Sequence, residues 1–372
     1  MVFFCFCNCF CFISLFLGCL DIFFNFLCVI PIIIGFVLFL SAFNIAFSFV
    51  LCYDSGKFGY KGGGEQMAHS AADHRQYIIG IDIGGTNCRI GGIYPDLEFA
   101  GQVKKYNSRT LFHTDEPEKV LIGIIDDFIR ANPEGAPAGI CIGFPGTVNK
   151  AKDTVISCPN LLAFTNRNIA GPLGERFHIP VVAEHDVLLL LSYDMKLLGI
   201  EDADCIVSFY QGTGLGNGIY IHGRFLDGKN GVSGELGHIP VYGKTDPCPC
   251  GNTGCAELYC SGRALERLRD TFFPEIPLES VFSYYDSRPQ LHEFIDCMAM
   301  AFATEINILD PDYIILAGGV IQMKDFPCDD LCRRIRHYAR KPYPAQTLCF
   351  KKGSNHPFAG ILGAGVYMWN RL

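Results

Sequence analysis

Basic residues are missing from the first 56 positions, and no run of them occurs anywhere in the 372-residue chain. With a net charge of -8, that absence excludes a nucleic-acid surface. It also leaves the apolar start without the cationic region of a signal peptide, and no small-residue cleavage site is clear. Charge of either sign is nearly absent from Val2 to Leu51, where Asp21 stands alone. Hydropathy there reads as one or two membrane spans, yet the positive-inside rule has nothing to count before Lys57. A disulfide framework is lacking as well, despite 19 cysteines. Seven lie before residue 53, three cluster at 248–255, and the rest are scattered singly among apolar residues, as buried thiols are. A reducing, cytoplasmic compartment is the expectation.

Phe, Leu, Ile, Asn and Cys, which dominate the start, are what AT-rich DNA encodes when read through in an open frame. Lys61-Gly62-Gly63-Gly64 then precedes Met67. Codons for that run can spell a purine tract resembling a bacterial ribosome-binding site. The expectation is that residues 1–66 are translated leader and that Met67 is the start. The other reading is a genuine membrane segment, so no membrane partner is expected unless residues 1–66 are truly expressed.

What is present is most telling between Gly234 and Glu257. Glu235-Leu236-Gly237-His238 is followed by Cys248, Cys250 and Cys255. One histidine and three close cysteines make a full tetrahedral set for a structural zinc, with no position open for a catalytic water. Gly251 and Gly254 allow the tight backbone that such a set needs. Glu235 and Glu257 bracket it, and a zinc-pinned loop would hold both carboxylates in place.

The length suffices for two domains with a core each. Tyr77–Ile83 reads as a buried strand, Gly84-Gly85-Thr86-Asn87 as a turn, and Cys88–Tyr94 as the returning strand. Glu116–Ala131 has helical spacing. Ala138–Phe144 and Pro180–Ala183 read as strands, and Val187–Leu198 as a helix. The hairpin idea recurs with Cys205–Tyr210, the glycine turn Gly212-Thr213-Gly214-Leu215-Gly216, and Asn217–Ile221. A helix over Leu291–Leu309, a strand over Pro311–Ala317 ending in Gly318-Gly319, and a closing helix over Phe358–Tyr367 follow. Two such units predict two related α/β domains, 77–195 and 196–372, around a cleft. The last helix is a candidate to pack back on the first of them.

Asp82-Ile83-Gly84-Gly85-Thr86 sets a carboxylate before a glycine turn. Glycines let backbone N–H groups approach phosphate oxygens, and Asp82 could hold Mg²⁺ through water. It is not a Walker loop, since no Gly-Lys-Ser/Thr closes it and a strand follows. One such turn could be only a turn. Two of them, with a strand ending in Gly318-Gly319-Val320, match the nucleotide clamp of the actin-like ATPase superfamily.

From Tyr77 onward the chain resembles the ROK (repressor, open reading frame, kinase) family of sugar kinases. The resemblance rests on Asp82-Ile83-Gly84-Gly85-Thr86, on Glu235-Leu236-Gly237-His238, and on Cys248-x-Cys250-Gly-x-x-Gly-Cys255-x-Glu257. It implies a two-domain, actin-like (ribonuclease H-like) α/β fold with a cleft and a zinc-pinned loop. It implies ATP, Mg²⁺, a structural zinc on His238, Cys248, Cys250 and Cys255, a small sugar substrate, and a homodimer. Gly80, Asp82, Gly84, Gly85, Thr86, Asn87, Gly212, Thr213, Gly214, Gly216, Gly318 and Gly319 would then form the nucleotide site.

The same resemblance places the general base at Asp186, in His185-Asp186, where the family carries Asn-Asp. A sugar hydroxyl attacking the γ-phosphate must lose its proton, and a carboxylate in reach can take it. Asp also favours a helix N-cap, and both roles can hold. Glu184 is the rival. Asn160, in Pro159-Asn160-Leu161, joins Asp186, Glu235, His238 and Glu257 as implied sugar contacts. The second ring nitrogen of His238 stays free to donate if the first binds zinc.

His185 departs from the glucokinase type and puts glucose in doubt. Ile142–Val148, Val155–Leu161 and Ala339–Pro344 look most like D-allose kinases. Glucose, N-acetylmannosamine and fructose are the other hexoses weighed. A family repressor would need a helix-turn-helix before Tyr77, for which Tyr53–Gln76 is too short and glycine-rich. A sugar-sensing regulator is the remaining alternative.

Overall fold

Tyr77 through Ile81 is buried on both faces, the pattern of a strand covered on both sides of its sheet. A computed structural model describes residues 75–372 and makes that strand the centre of a sheet. Both readings of residues 1–66 lie outside the described residues. Among the described residues no helix is long and apolar enough to cross a membrane.

The first sheet uses β1 (Arg75–Ile83), β2 (Asn87–Ile93), β3 (Phe99–Asn107), β4 (Gly135–Phe144) and β8 (Val181–His185), in the order β3-β2-β1-β4-β8. Between β4 and β8 stands a small sheet of β5 (Thr147–Val148), β6 (Thr154–Ser157) and β7 (Arg167–Asn168). Helices α1 (Pro117–Ala131) and α2 (Ala170–Phe177) belong to this half, and α3 (Asp186–Leu198) leaves β8 directly. The second sheet uses β9 (Cys205–Gln211), β10 (Leu215–Ile221), β11 (Arg224–Phe225), β12 (Tyr313–Ala317) and β13 (Phe350–Lys352), ordered β11-β10-β9-β12-β13. Around it lie α4 (Gly262–Phe272), α5 (Pro289–Leu309), α6 (Cys328–Tyr338) and finally α7 (Ala359–Trp369).

Both sheets run through three antiparallel strands and then two parallel ones. The chain therefore carries the two-domain, actin-like α/β architecture, with one ribonuclease H-like unit repeated. Each unit has its own apolar core. Ile79, Ile81, Phe128 and Phe144 are fully buried in the first. In the second, Phe209 stacks on Phe302 with ring centroids 4.0 Å apart.

Helices α3 and α7 join the two units. Val187, Leu191 and Met195 of α3 pack on Ile206, Tyr210 and Ile315 of the second sheet. Ala364, Tyr367 and Met368 of α7 pack on Ile78 and Cys141 of the first. A Cβ on Gly363 would lie 1.9 Å from the Leu189 carbonyl oxygen, so a glycine there lets the two helices touch. Trp369 Nε1 donates to the Ile93 carbonyl at 3.2 Å. The strands and helices expected from the sequence are present, their ends moved by up to three residues.

Candidate active site

Asp186 opens α3 with His185 as its N-cap, where β8 gives way to the helix. Its Oδ1 accepts the Val187 N–H at 2.8 Å. Burial pushes the pKa of its carboxyl up to about 7, with the negative charge of Asp82 adding to the rise. That value suits a base working near neutrality. His185 Nε2 lies 3.5 Å from Asp186 Oδ1. Burial holds the imidazole below its ordinary value, against the pull of Glu235 and Glu184.

Glu184, the rival base, is fully occupied. Its Oε1 accepts from Lys152 Nζ at 2.8 Å and from the His185 N–H at 2.8 Å, and its Oε2 accepts from the Tyr367 hydroxyl. At 1% exposure and paired with the Lys152 ammonium, Glu184 is out of a sugar's reach.

The first glycine turn is closed by the Gly84 N–H on the Asn87 carbonyl at 2.8 Å, with Thr86 exposed at its tip. A Cβ on Gly85 would lie 3.4 Å from Asn160 Cβ, so the Pro159-Asn160-Leu161 segment stands against this turn. Asp82 faces Arg89 directly across the hairpin, and Arg89 Nη1 donates to its Oδ2 at 2.9 Å. Burial raises the Asp82 pKa, while Arg89 works against that rise. Among the described residues Oδ1 of Asp82 has no protein donor, so one oxygen remains for a hydrated cation.

The second turn is docked on α4. The N–H groups of Gly262 and Arg263 donate to the carbonyls of Gly212 and Thr213 at 2.9 and 3.1 Å. A Cβ at Gly212 or at Gly319 would meet nothing within 4 Å, so both border open space. Glu257 reaches this turn from the cysteine segment, its Oε2 accepting the Leu215 N–H at 2.9 Å. A Cβ on Gly237 would lie 3.3 Å from Glu257 Cβ, which sets the Glu235–His238 segment against the same carboxylate.

His238, Cys248, Cys250 and Cys255 offer ligand atoms that all lie within 4.8 Å of one another. His238 Nδ1 is 3.7 Å from Cys248 Sγ, and Cys250 Sγ is 3.7 Å from Cys255 Sγ. A zinc–sulfur bond of about 2.3 Å gives a tetrahedral edge of about 3.8 Å, so the donors fit zinc. The other ring nitrogen, Nε2, faces Glu235 Oε2 at 3.6 Å.

Three of the glycines expected at the nucleotide are packed closely against protein. Gly80 is buried in mid-strand, where a Cβ would lie 2.8 Å from the Ile361 carbonyl oxygen and 3.2 Å from Ala364 Cβ. It makes room for α7. Gly216 makes room for α3, a Cβ there lying 2.5 Å from Val187 Cγ1. Gly318, at φ +95°, lets the end of β12 press on the backbone of Gln211.

Sequence reasoning missed Arg89, Lys152 and Gly262. Arg89 was within reach, since a hairpin closed at Gly84–Asn87 puts it opposite Asp82. The others carry no local signal.

Asn160 thus stands against the first turn, Asp186 feels the charge of Asp82, His185 that of Glu235, and the Glu235–His238 segment meets Glu257 beside the second turn. A family model described as the ROK family matches residues 78–371. An N-acetyl-D-glucosamine kinase of Pectobacterium carotovorum is 28% identical over 258 residues, 65% of this chain and 83% of that protein. A glucokinase of Thermotoga maritima is 26% identical over 315 residues, 79% of this chain and 98% of that protein. The solved structure of a ROK family glucokinase from Streptomyces griseus, in complex with glucose and AMPPNP, has a TM-score of 0.63 at 24% identity. It covers 78% of this chain and 98% of its own. With nearly all of its described residues inside the family match, this chain belongs to the ROK family.

Proposed function

We propose that this protein is an ATP-dependent hexose kinase that phosphorylates the 6-hydroxyl of D-allose, giving D-allose 6-phosphate and ADP. The observation that supports the kinase reading is Asp186, an acid raised to about 7 by burial and by the charge of Asp82, the carboxylate that precedes the first glycine turn. Asp186 takes the proton from O6 as that oxygen bonds to the γ-phosphorus. The bond from the γ-phosphorus to the bridging oxygen breaks, and ADP leaves. Phosphoryl transfer asks the protein mainly for position and charge.

The backbone of Gly84, Gly85, Gly212, Gly214 and Gly319, with Thr86, Asn87 and Thr213, cradles the phosphates. Mg²⁺, when bound with ATP, neutralises phosphate charge, and Asp82 is the carboxylate that would hold it through water. Asn160, Glu235, His238 and Glu257 bind the remaining hydroxyls. Zinc, when bound to His238 Nδ1 and the thiolates of Cys248, Cys250 and Cys255, fixes the loop that carries Glu235 and Glu257. A homodimer belongs to the same reading.

D-allose is favoured by His185 and by the stretches that look like allose kinases. An uncharged imidazole beside the base offers one donor and one acceptor, a pair able to read a hydroxyl's direction. The names of the relatives favour a second reading, with glucose or N-acetylglucosamine as substrate. ADP release from the purified protein with Mg-ATP tests both, across allose, glucose, N-acetylglucosamine, N-acetylmannosamine and fructose. The highest kcat/KM on allose supports the full proposal. Preference for another hexose keeps the kinase and removes allose. A folded protein that turns over none of them moves the reading to a sugar sensor.

A further inference from the structure

Lys152 is the one lysine among the described residues with its side chain buried, at 7% exposure. It ends the turn between β5 and β6 in the left-handed region, at φ +61°. Two bonds tie it to β8. Its carbonyl accepts the Ala183 N–H at 2.8 Å, and its ammonium donates to Glu184 at 2.8 Å. The same Glu184 oxygen accepts the His185 N–H, one residue before Asp186.

A third bond leaves the first unit. Lys152 Nζ donates to Asp227 Oδ1 at 2.6 Å, in the segment that runs from β11 to Glu235. A second contact lies beside it. Gly231, at φ +76°, has its Cα pressed on β5, where a Cβ would stand 2.2 Å from the Val148 carbonyl oxygen. The segment before Glu235 therefore rests on the β5–β6 turn at two points.

We propose that Lys152 is a positioning residue, whose single buried ammonium sets the strand that leads into Asp186 against the segment that leads into Glu235. It touches neither hexose nor nucleotide. It fixes the distance between the base and a sugar-binding carboxylate that belong to different units. A misplacement of about 1 Å between such groups can cost roughly a hundredfold in rate. The inference rests on the kinase reading above.

Lys152→Met would leave Glu184 buried without its cation and can fail to fold. Asp227 is the better handle, because its side chain is 28% exposed. Asp227→Ala is expected to raise the hexose KM about tenfold, leave the ATP KM within twofold, and leave the melting temperature within a few degrees. Asp227→Asn keeps an acceptor for Lys152 and is expected to recover most of the loss. Hexose KM unchanged in Asp227→Ala overturns the proposal, as does an equal loss for ATP. Amide hydrogen exchange reads the same coupling without turnover. In Asp227→Ala the peptides over 183–187 and 227–238 should speed together, and faster exchange confined to 227–238 overturns the coupling. A wild-type protein inert on every hexose would sink the kinase reading, and the exchange result would still decide the coupling.

Discussion

The Leu215 backbone N–H donates to Glu257 Oε2 at 2.9 Å. This bond joins the last carboxylate of the cysteine segment to the second glycine turn. One side chain thereby touches both proposed substrate regions, the sugar loop and the phosphate cradle. Glu257→Ala orphans a backbone donor in a turn that must hold its shape, at about 1–3 kcal/mol. Both the hexose KM and the ATP KM should rise. Glu257→Gln keeps an acceptor, so its ATP KM should stay within about twofold of wild type while hexose binding weakens. Steady-state kinetics with each substrate varied in turn makes the check.

Asp186→Asn should lower kcat by roughly 10²–10⁴ while the protein stays folded. Asn keeps an oxygen to accept the Val187 N–H. The pH dependence has a definite sign. A base with a pKa near 7 loses its working form below that value, so wild-type kcat/KM should fall about tenfold per unit on the acid side. Stability runs the other way. The folded carboxyl is raised above its unfolded value, so wild type binds the extra proton when folded and loses stability as pH rises from about 4 to 7. Asp186→Asn should therefore gain more in melting temperature over wild type at pH 8 than at pH 4. Paired melts at the two pH values read this.

Removing the proposed zinc should act on the sugar before the nucleotide. Cys255→Ser, or exhaustive chelation, should release one zinc per chain by elemental analysis. Hexose KM should then rise by at least about tenfold, as losses at metal sites commonly do. The two carboxylates that the loop carries would lose their fixed positions. An unchanged hexose KM in a zinc-free protein would show that the loop needs no metal.

Gly80→Ala separates packing from binding. The added methyl would stand 2.8 Å from the Ile361 carbonyl oxygen, and helix α7 would have to move. Overpacking of this kind costs about 1–3 kcal/mol. A denaturant melt should show that loss, while the ATP KM stays within twofold of wild type.

Much of the fold was legible because buried strands such as Tyr77–Ile83 and Cys205–Gln211 advertise themselves by continuous apolar runs. What escaped was polar or short. Strand β3 (Phe99–Asn107) lies at a sheet edge and carries Gln102, Lys104 and Lys105, so nothing in its composition marks it as a strand. β5, β7 and β11 are two residues each, and only their partners define them. Helix α6 shows an apolar stripe on a strongly charged background, with Leu331 and Ile335 its buried residues. Glycine was the hardest residue to read. A glycine in a turn and one that makes room for a neighbouring helix look alike in sequence, as Gly84 and Gly80 do.

Sequence by itself determined what short-range chemistry can hold. The Cys₃His set, both glycine turns, the hairpin register that pairs Asp82 with Arg89, and the helix opening at Asp186 all depend on residues close in the chain. Close residues meet whatever the rest of the molecule does. Tertiary structure decided which carboxylate is free and which is spent. Asp186 and Glu184 are two residues apart where strand gives way to helix, yet among the described residues Asp186 keeps one oxygen without a protein donor while Glu184 is closed off by Lys152 and Tyr367. Those two partners come from segments far apart in the chain, and burial is the sum of what distant segments bring.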